Sequence, residues 1–187
     1  GYNTDYQAAI DTLEQGMAGG EIPADSPSPL VDKQVLILGA GGAARSLAFG
    51  ASHRGGKVSI TNRSDEKAET LAEQVGCRKV AWSQRATVIA DVIVNCTPVG
   101  MHPQVDDTPL PPAAFGRSGI VVFDTVYHPE HTMLLKLARE RQAIGISGVE
   151  MFLRQAALQF KLYTGQEAPL DVMRETLKRK LGPLRDD

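Results

Sequence analysis

The sequence predicts an α/β protein: a doubly wound parallel sheet of about six strands, with extra helices at both ends. Three observations predict it. Short apolar runs rich in Val and Ile alternate with helical patterns from residue 34 to residue 147. Strands buried on both faces read as continuous apolar runs, and the helices between them supply the cover. The first run passes straight into a glycine-rich turn and a helix of small residues, "VLILGAGGAARSLA". Finally, 187 residues with 42% apolar content suffice for one ordinary domain with a sizeable core.

Taken in order, "QVLIL" (34–38), "KVSIT" (57–61), "KVA" (79–81), "DVIVNC" (91–96), "GIVVFD" (119–124) and "AIGIS" (143–147) read as strands. The helices between them are "GGAARSLAFGASHR" (41–54), "SDEKAETLAEQVG" (64–76) and "TMLLKLARERQ" (132–142). In the second of these, Ser64 suits the N-cap, Asp65 and Glu66 suit the positive helix end, and Gly76 suits the stop.

Three segments lie outside the alternation. "TDYQAAIDTLEQ" (4–15) predicts a leading helix, and "MAGGEIPADSPSPLVD" (17–32), rich in Gly and Pro, predicts a linker. At the back, residues 148–165 place Val149, Phe152, Leu153, Ala156, Ala157, Phe160 and Tyr163 on one helical face. A last helix spans 171–182, with Asp171 as cap and Gly182 as stop. The division expected is a hinge helix (1–16), a linker (17–33), a nucleotide-binding domain (34–147) and returning helices (148–187). The sheet does not need these outer helices, so their apolar faces are expected to cover a further domain.

Composition excludes several classes. The formal net charge is −2 with no basic block, which argues against a nucleic-acid or anionic-membrane partner. No run of about 18 apolar residues and no signal peptide is present. Cys77 and Cys96 share no metal-ligand spacing, and His128 and His131 have no third ligand at a defined spacing, so no metal is expected. A reduced, cytoplasmic protein follows.

Gly39-Ala40-Gly41-Gly42-Ala43-Ala44 matches the dinucleotide fingerprint, with Ala44 at the third small position. Gly39 permits the turn, Gly41 admits a pyrophosphate to the backbone, and the following helix offers unpaired N–H groups to the anion. The same pattern also fits a plain tight turn between strand and helix. The end of the second strand distinguishes cofactors. An NAD site places Asp or Glu there for the ribose 2′-hydroxyl. This chain has "TNRSDEK". Asn62, Arg63, Ser64 and, one turn on, Lys67 suit a 2′-phosphate and hence NADP. A charge-assisted hydrogen bond contributes about 1.5–3 kcal/mol, so one or two favour NADP by roughly tenfold to a few hundredfold. Arg63 and Lys67 also fit solvated surface cations.

"GYNTD", "GAGGAAR", "TNRS", "DVIVNCTPVGM", "FDTVYHPEHTMLL" and "GVEMFLRQAALQF" occur in this order. Together they resemble shikimate dehydrogenase from its mid-chain hinge to its C-terminus, over nearly the whole chain. The long linker and the "NCTPVGM" wording resemble members fused to 3-dehydroquinate dehydratase. The resemblance implies a Rossmann-like fold and NADPH-dependent reduction of 3-dehydroshikimate to shikimate, a step of aromatic amino acid biosynthesis. It implies that Asp5 is catalytic, paired with a lysine of an N-terminal substrate domain that this chain lacks. It also implies that Thr4, Asp5, Tyr127 and Gln155 bind substrate. Thr97, Pro98 and Val99 would line the nicotinamide side, along with Thr125, Gly148 and Met151. Thr125 departs from the methionine common in bacterial members. Read alone, Asp5 also fits a helix cap, Gln155 a polar rim residue and Tyr127 a packed loop residue. The isolated chain is expected to bind NADP without oxidising shikimate, and to self-associate, as a homodimer for instance, or expose an apolar patch. Two other readings stand beside this one: a quinate dehydrogenase using NAD, and a non-catalytic regulator of quinate use.

Overall fold

The computed structural model describes residues 4–116 and 119–181, with the side chains of residues 4 and 5 left out. Six parallel strands form one sheet: β1 (Gln34–Leu38), β2 (Lys57–Thr61), β3 (Arg78–Lys79), β4 (Val92–Asn95), β5 (Val121–Asp124) and β6 (Ile144–Ser147). Their spatial order is β3-β2-β1-β4-β5-β6, so the chain winds outward from β1 in one direction, then from β4 in the other. Ligands of such sheets bind beyond the strand C-termini where the order reverses, here between β1 and β4.

The helices are α1 (Thr4–Ala18), α2 (Gly42–His53), α3 (Asp65–Val75), α4 (Met133–Glu140), α5 (Gly148–Thr164) and α6 (Leu170–Leu181). Successive strand residues point to opposite faces. Val35, Ile37, Val92 and Val94 therefore pack with Leu47, Ala48, Ala68 and Leu71 of α2 and α3. Leu36, Leu38, Ile93 and Val122 pack with Leu134, Leu135 and Ala138 of α4.

The expectation that the outer helices await another domain is half corrected. Ala8, Ala9, Ile10 and Leu13 of α1 are fully buried in the first of these cores, and α1 contacts α2, α5 and β6. At Gly50 of α2, an added Cβ would lie 2.2 Å from Cγ1 of Ile10, so the lack of a side chain lets α1 approach. Buried Glu14 accepts from Ser28 Oγ at 2.5 Å and from Arg54 Nη1 at 2.6 Å, which ties the Gly/Pro-rich loop to α1 and α2. Arg154 Nη2 donates to Gln15 Oε1 at 2.6 Å, joining α5 to α1. By contrast, α6 contributes no buried residue. Its tie to α5 is Arg174, which donates to both carboxylate oxygens of Glu150. Leu162, Tyr163, Leu170 and Val172 are exposed, Tyr163 by 88%. Within α5, Val149, Met151 and Leu153 are buried while Phe152 is partly exposed, so the expected single face splits: the first turns pack and the last turn does not.

Smaller departures have local causes. The third strand pairs only through Arg78 and Lys79, and residues 82–87 form a 3₁₀ turn in which Arg85 lies 4.2 Å over the Trp82 ring. Ser64 holds the N-cap position of α3 without a side-chain capping bond. Asp171 lies inside the first turn of α6, which starts at Leu170 after Pro169. Gly182 lies outside the described residues.

Candidate functional site

A cleft of about 640 Å³ opens where the strand order reverses. Gly39, Ala40 and Gly41 form its floor. Gly39 has φ +117°, which side-chain-bearing residues rarely adopt, and a Cβ there would meet the Cys96 carbonyl oxygen at 2.9 Å. The β1 and β4 ends therefore approach each other only with glycine at this position. Gly41 is the N-cap of α2, with no side-chain capping bond and no acidic residue in the first turn. The backbone N–H groups that open this helix, at Gly42 and Ala43, thus meet no competing side-chain acceptor there, which suits an anion.

One end of the cleft is built by the turn after β2. Asn62, Arg63, Ser64 and Lys67 all line it. Asn62 Nδ2 donates to the Ser64 carbonyl at 3.1 Å, which shapes the turn. Arg63, Ser64 and Lys67 are exposed. Two of the acids that follow in sequence are engaged elsewhere: Lys79 Nζ pairs with Asp65 at 2.8 Å and with Glu69 at 2.5 Å, and these bonds push its pKa up to about 12. Two cations and no carboxylate line the cleft among the described residues.

The other end is built by the loop after β4. Cys96, Thr97 and Pro98 line it. Buried Asn95 uses its amide fully: Oδ1 accepts from Thr97 N–H at 3.0 Å and from Thr97 Oγ1 at 2.6 Å, while Nδ2 donates to the Val99 carbonyl at 3.3 Å and to Asp124 Oδ1 at 2.9 Å. Thr125 N–H and Oγ1 both donate to the Asn95 carbonyl, at 3.0 and 2.9 Å. Asp124, wholly buried, also accepts from Val126 N–H at 3.1 Å and from Thr132 Oγ1 at 2.7 Å. Burial pushes its pKa up to about 6, and the hydrogen bonds from Thr132, Val126 and Asn95 pull the other way. Burial, with the Asp124 charge behind it, pushes the Cys96 thiol well above its ordinary range, so it stays protonated.

Nine of the residues expected at a site line this one cleft: Gly39, Ala40, Gly41, Asn62, Arg63, Ser64, Lys67, Thr97 and Pro98. Gly42 and Ala43 begin the helix beside it. Val99, Thr125, Tyr127, Gly148, Met151 and Gln155 are not among its lining residues. Tyr127, in the loop after β5, stacks on Phe152 of α5 with ring centroids 4.9 Å apart. Gly148 and Met151 are buried in the first turn of α5, and Gln155 is half-buried one turn on. Thr4 and Asp5 belong to α1 by backbone, but their side chains lie outside the described residues. Sequence reasoning missed Asn95, Asp124 and Thr132. A signal existed: polar residues close two apolar strands, "VIVN" and "VVFD". Cys96 also lines the cleft, half-buried and packed against the first core.

A glycine turn at the reversal of a parallel sheet, an uncapped helix start and a cationic far wall define a dinucleotide-binding domain of the Rossmann type. Comparison with known proteins carries this further. Residues 148–178 match the Shikimate 5'-dehydrogenase C-terminal domain, and residues 34–115 match the family described as NADP oxidoreductase coenzyme F420-dependent. The shikimate dehydrogenase (NADP(+)) of Methanothermobacter thermautotrophicus is 40% identical over 97% of this chain and 63% of its own length. The chloroplastic bifunctional 3-dehydroquinate dehydratase/shikimate dehydrogenase of Arabidopsis thaliana is 41% identical over 92% of this chain and 29% of its own. Among solved structures, shikimate 5-dehydrogenase from Thermus thermophilus in complex with NADP(H) and shikimate superposes with TM-score 0.78 at 34% identity, covering 96% of this chain and 63% of that one. Quinate dehydrogenase from Corynebacterium glutamicum in complex with NAD gives TM-score 0.81 at 29% identity, covering 96% and 63%. The chain is thus similar, along nearly its whole length, to shikimate dehydrogenases, and it spans less than two thirds of the length of these relatives. No helix among the described residues is long and apolar enough to cross a membrane.

Proposed function

We propose that this chain is the NADP-binding part of a shikimate dehydrogenase, which interconverts 3-dehydroshikimate and shikimate. The observation that carries the reading is the cleft wall after β2, where Arg63, Ser64 and Lys67 converge, no carboxylate is among the lining residues described, and Asp65 and Glu69 pair with Lys79. A 2′-phosphate is dianionic and accepts charge-assisted bonds from such a wall, whereas the ribose 2′-hydroxyl of NAD needs a carboxylate. The same feature weighs against an NAD-dependent quinate dehydrogenase, although that fold superposes equally well. An intact glycine cradle weighs against a non-catalytic regulator.

In this reading Gly39, Ala40, Gly41, Gly42 and Ala43 hold the pyrophosphate against the α2 start. Asn62 and Arg63 hold the adenosine, and Arg63, Ser64 and Lys67 hold the 2′-phosphate. Thr97, Pro98, Val99, Thr125, Gly148 and Met151 flank the nicotinamide. When bound, NADPH supplies the hydride that the substrate carbonyl carbon takes up. Asp5, with a lysine from the longer protein, handles the proton that goes to or from the substrate oxygen. Thr4, Tyr127 and Gln155 orient the substrate hydroxyls. Further partners of this reading are an N-terminal substrate domain, fused upstream modules as in the bifunctional relative, and a second copy of the chain. A cytoplasmic setting belongs to the same proposal.

The test is an NADP-linked assay of shikimate and quinate oxidation. The chain joined to the upstream segment of a longer relative should oxidise shikimate with NADP. The 187-residue chain alone should not, because orienting a substrate against its donor is worth about 7–11 kcal/mol and needs both walls. Near-normal turnover by the chain alone, or a preference for quinate with NAD, contradicts the reading.

A further inference from the structure

A buried polar bracket lies beneath the loop after β4, behind the Thr97 that lines the cleft. Asn95 ends β4 wholly buried, at the strand next to the reversal point. A primary amide offers two N–H donors and one carbonyl acceptor with two lone pairs. Here all four are used: both lone pairs by Thr97, one N–H by Val99 and one by Asp124. The Asn95 backbone carbonyl meanwhile accepts two bonds from Thr125. One residue thus holds Thr97, Val99 and Thr125, which come from two separate loops.

The orientation of the amide is itself determined. Asp124 Oδ1 is an acceptor, so it requires the Nδ2 end of Asn95 to face it. That leaves Oδ1 for Thr97. Asp124 in turn is braced by Val126 N–H and by Thr132 Oγ1, the N-cap of α4. A buried network in which every group is satisfied is rigid, because any other arrangement leaves a polar group unpaired.

We infer that Asn95 is a positioning residue for the nicotinamide half of the dinucleotide site, with Asp124 fixing the direction of its amide. It touches neither cofactor nor substrate in this account; it acts through Thr97, Val99 and Thr125. The inference rests on the NADP reading above. It divides the site into two independent halves: the adenosine half, after β2, takes no hydrogen bond from Asn95.

Two ligands separate the halves. NADP+ engages both, while 2′,5′-ADP carries the 2′-phosphate and adenosine but no nicotinamide. Calorimetric titration of the 187-residue chain and of Asn95→Leu with each ligand tests the inference. The variant is expected to raise the NADP+ Kd about tenfold and to leave the 2′,5′-ADP Kd within about twofold. A merely structural role would weaken both ligands in parallel, and that outcome, or an unchanged NADP+ Kd, overturns the inference. Asn95→Asp keeps the volume and serves where the leucine variant does not fold. It still accepts from Thr97 but turns an acceptor toward Asp124 and Val99, so a selective NADP+ loss of about threefold or more is expected. No loss, or parallel loss, in this variant overturns the inference equally. If the unaltered chain binds neither ligand, the NADP reading itself fails and this inference with it. If it binds 2′,5′-ADP and NADP+ and only the selectivity of loss is missing, the NADP reading survives alone.

Discussion

The two ends of the cleft are built on opposite principles. At the β2 end, Arg63, Ser64 and Lys67 are exposed and line the cleft with two cations. At the β4 end, Asn95 and Asp124 are wholly buried, and their bonds hold two loops together. A ligand phosphate can be gripped by solvated side chains, since the attraction is strong and tolerant of geometry. A planar ring that must present one carbon to a substrate needs a wall placed to within a fraction of an ångström. In the proposed NADP reading, cofactor choice and cofactor positioning are therefore separable, and variants at the two ends should fail in different ways.

The largest effect is expected from Asp124→Leu, which leaves Asn95 Nδ2, Val126 N–H and Thr132 Oγ1 facing an apolar group. Unpaired buried donors should lower unfolding stability by roughly 3–5 kcal/mol. Urea titration checks this, and a loss below about 1 kcal/mol would mean that the bracket is not structural.

Next comes pH. The folded-state pKa of Asp124, about 6, lies above its ordinary 3.8, so the folded chain binds that proton more tightly than the unfolded chain. This contribution is fully present below about pH 4 and is lost as pH rises through 6, amounting to about 3 kcal/mol. Unfolding stability of the unaltered chain measured against Asp124→Asn should thus fall over that window. A flat difference would contradict the buried carboxylate.

A smaller effect is expected from Gly39→Ala at the boundary between the two ends. Its φ of +117° and the 2.9 Å approach to Cys96 oxygen should cost about 1–3 kcal/mol and, in the proposed reading, weaken both NADP+ and 2′,5′-ADP, since the turn would hold the 5′-phosphate that the two ligands share. Differential scanning calorimetry and the same titrations read both consequences.

Much of this was legible in the sequence, for physical reasons that differ by region. Continuous apolar strands such as "VLIL" and "VIV" announce a sheet covered on both faces, and the observed six-stranded order follows that pattern. The glycine turn was legible because few residues tolerate its geometry. Of the bracket, only the polar residues closing two apolar strands were legible, because Asn95 and Asp124 acquire their partnership only when β4 and β5 lie side by side and pair them. The outer helices show the same limit. From periodicity α1 and α6 look alike, yet Ile10 and Leu13 are buried against α2 and α5, whereas Val172 is exposed by 62%. A hydrophobic stripe states that a face seeks cover and does not state which neighbour provides it.

The most direct test of the account is the affinity of the chain for NADP+ against NAD+, measured by calorimetry before and after Arg63→Ala. The account predicts that the unaltered chain prefers NADP+ by roughly tenfold to a few hundredfold, that the substitution removes most of this preference, and that unfolding stability changes by no more than about 0.5 kcal/mol. Equal affinity of the unaltered chain for the two cofactors, or a preference that survives the loss of Arg63 intact, would contradict it.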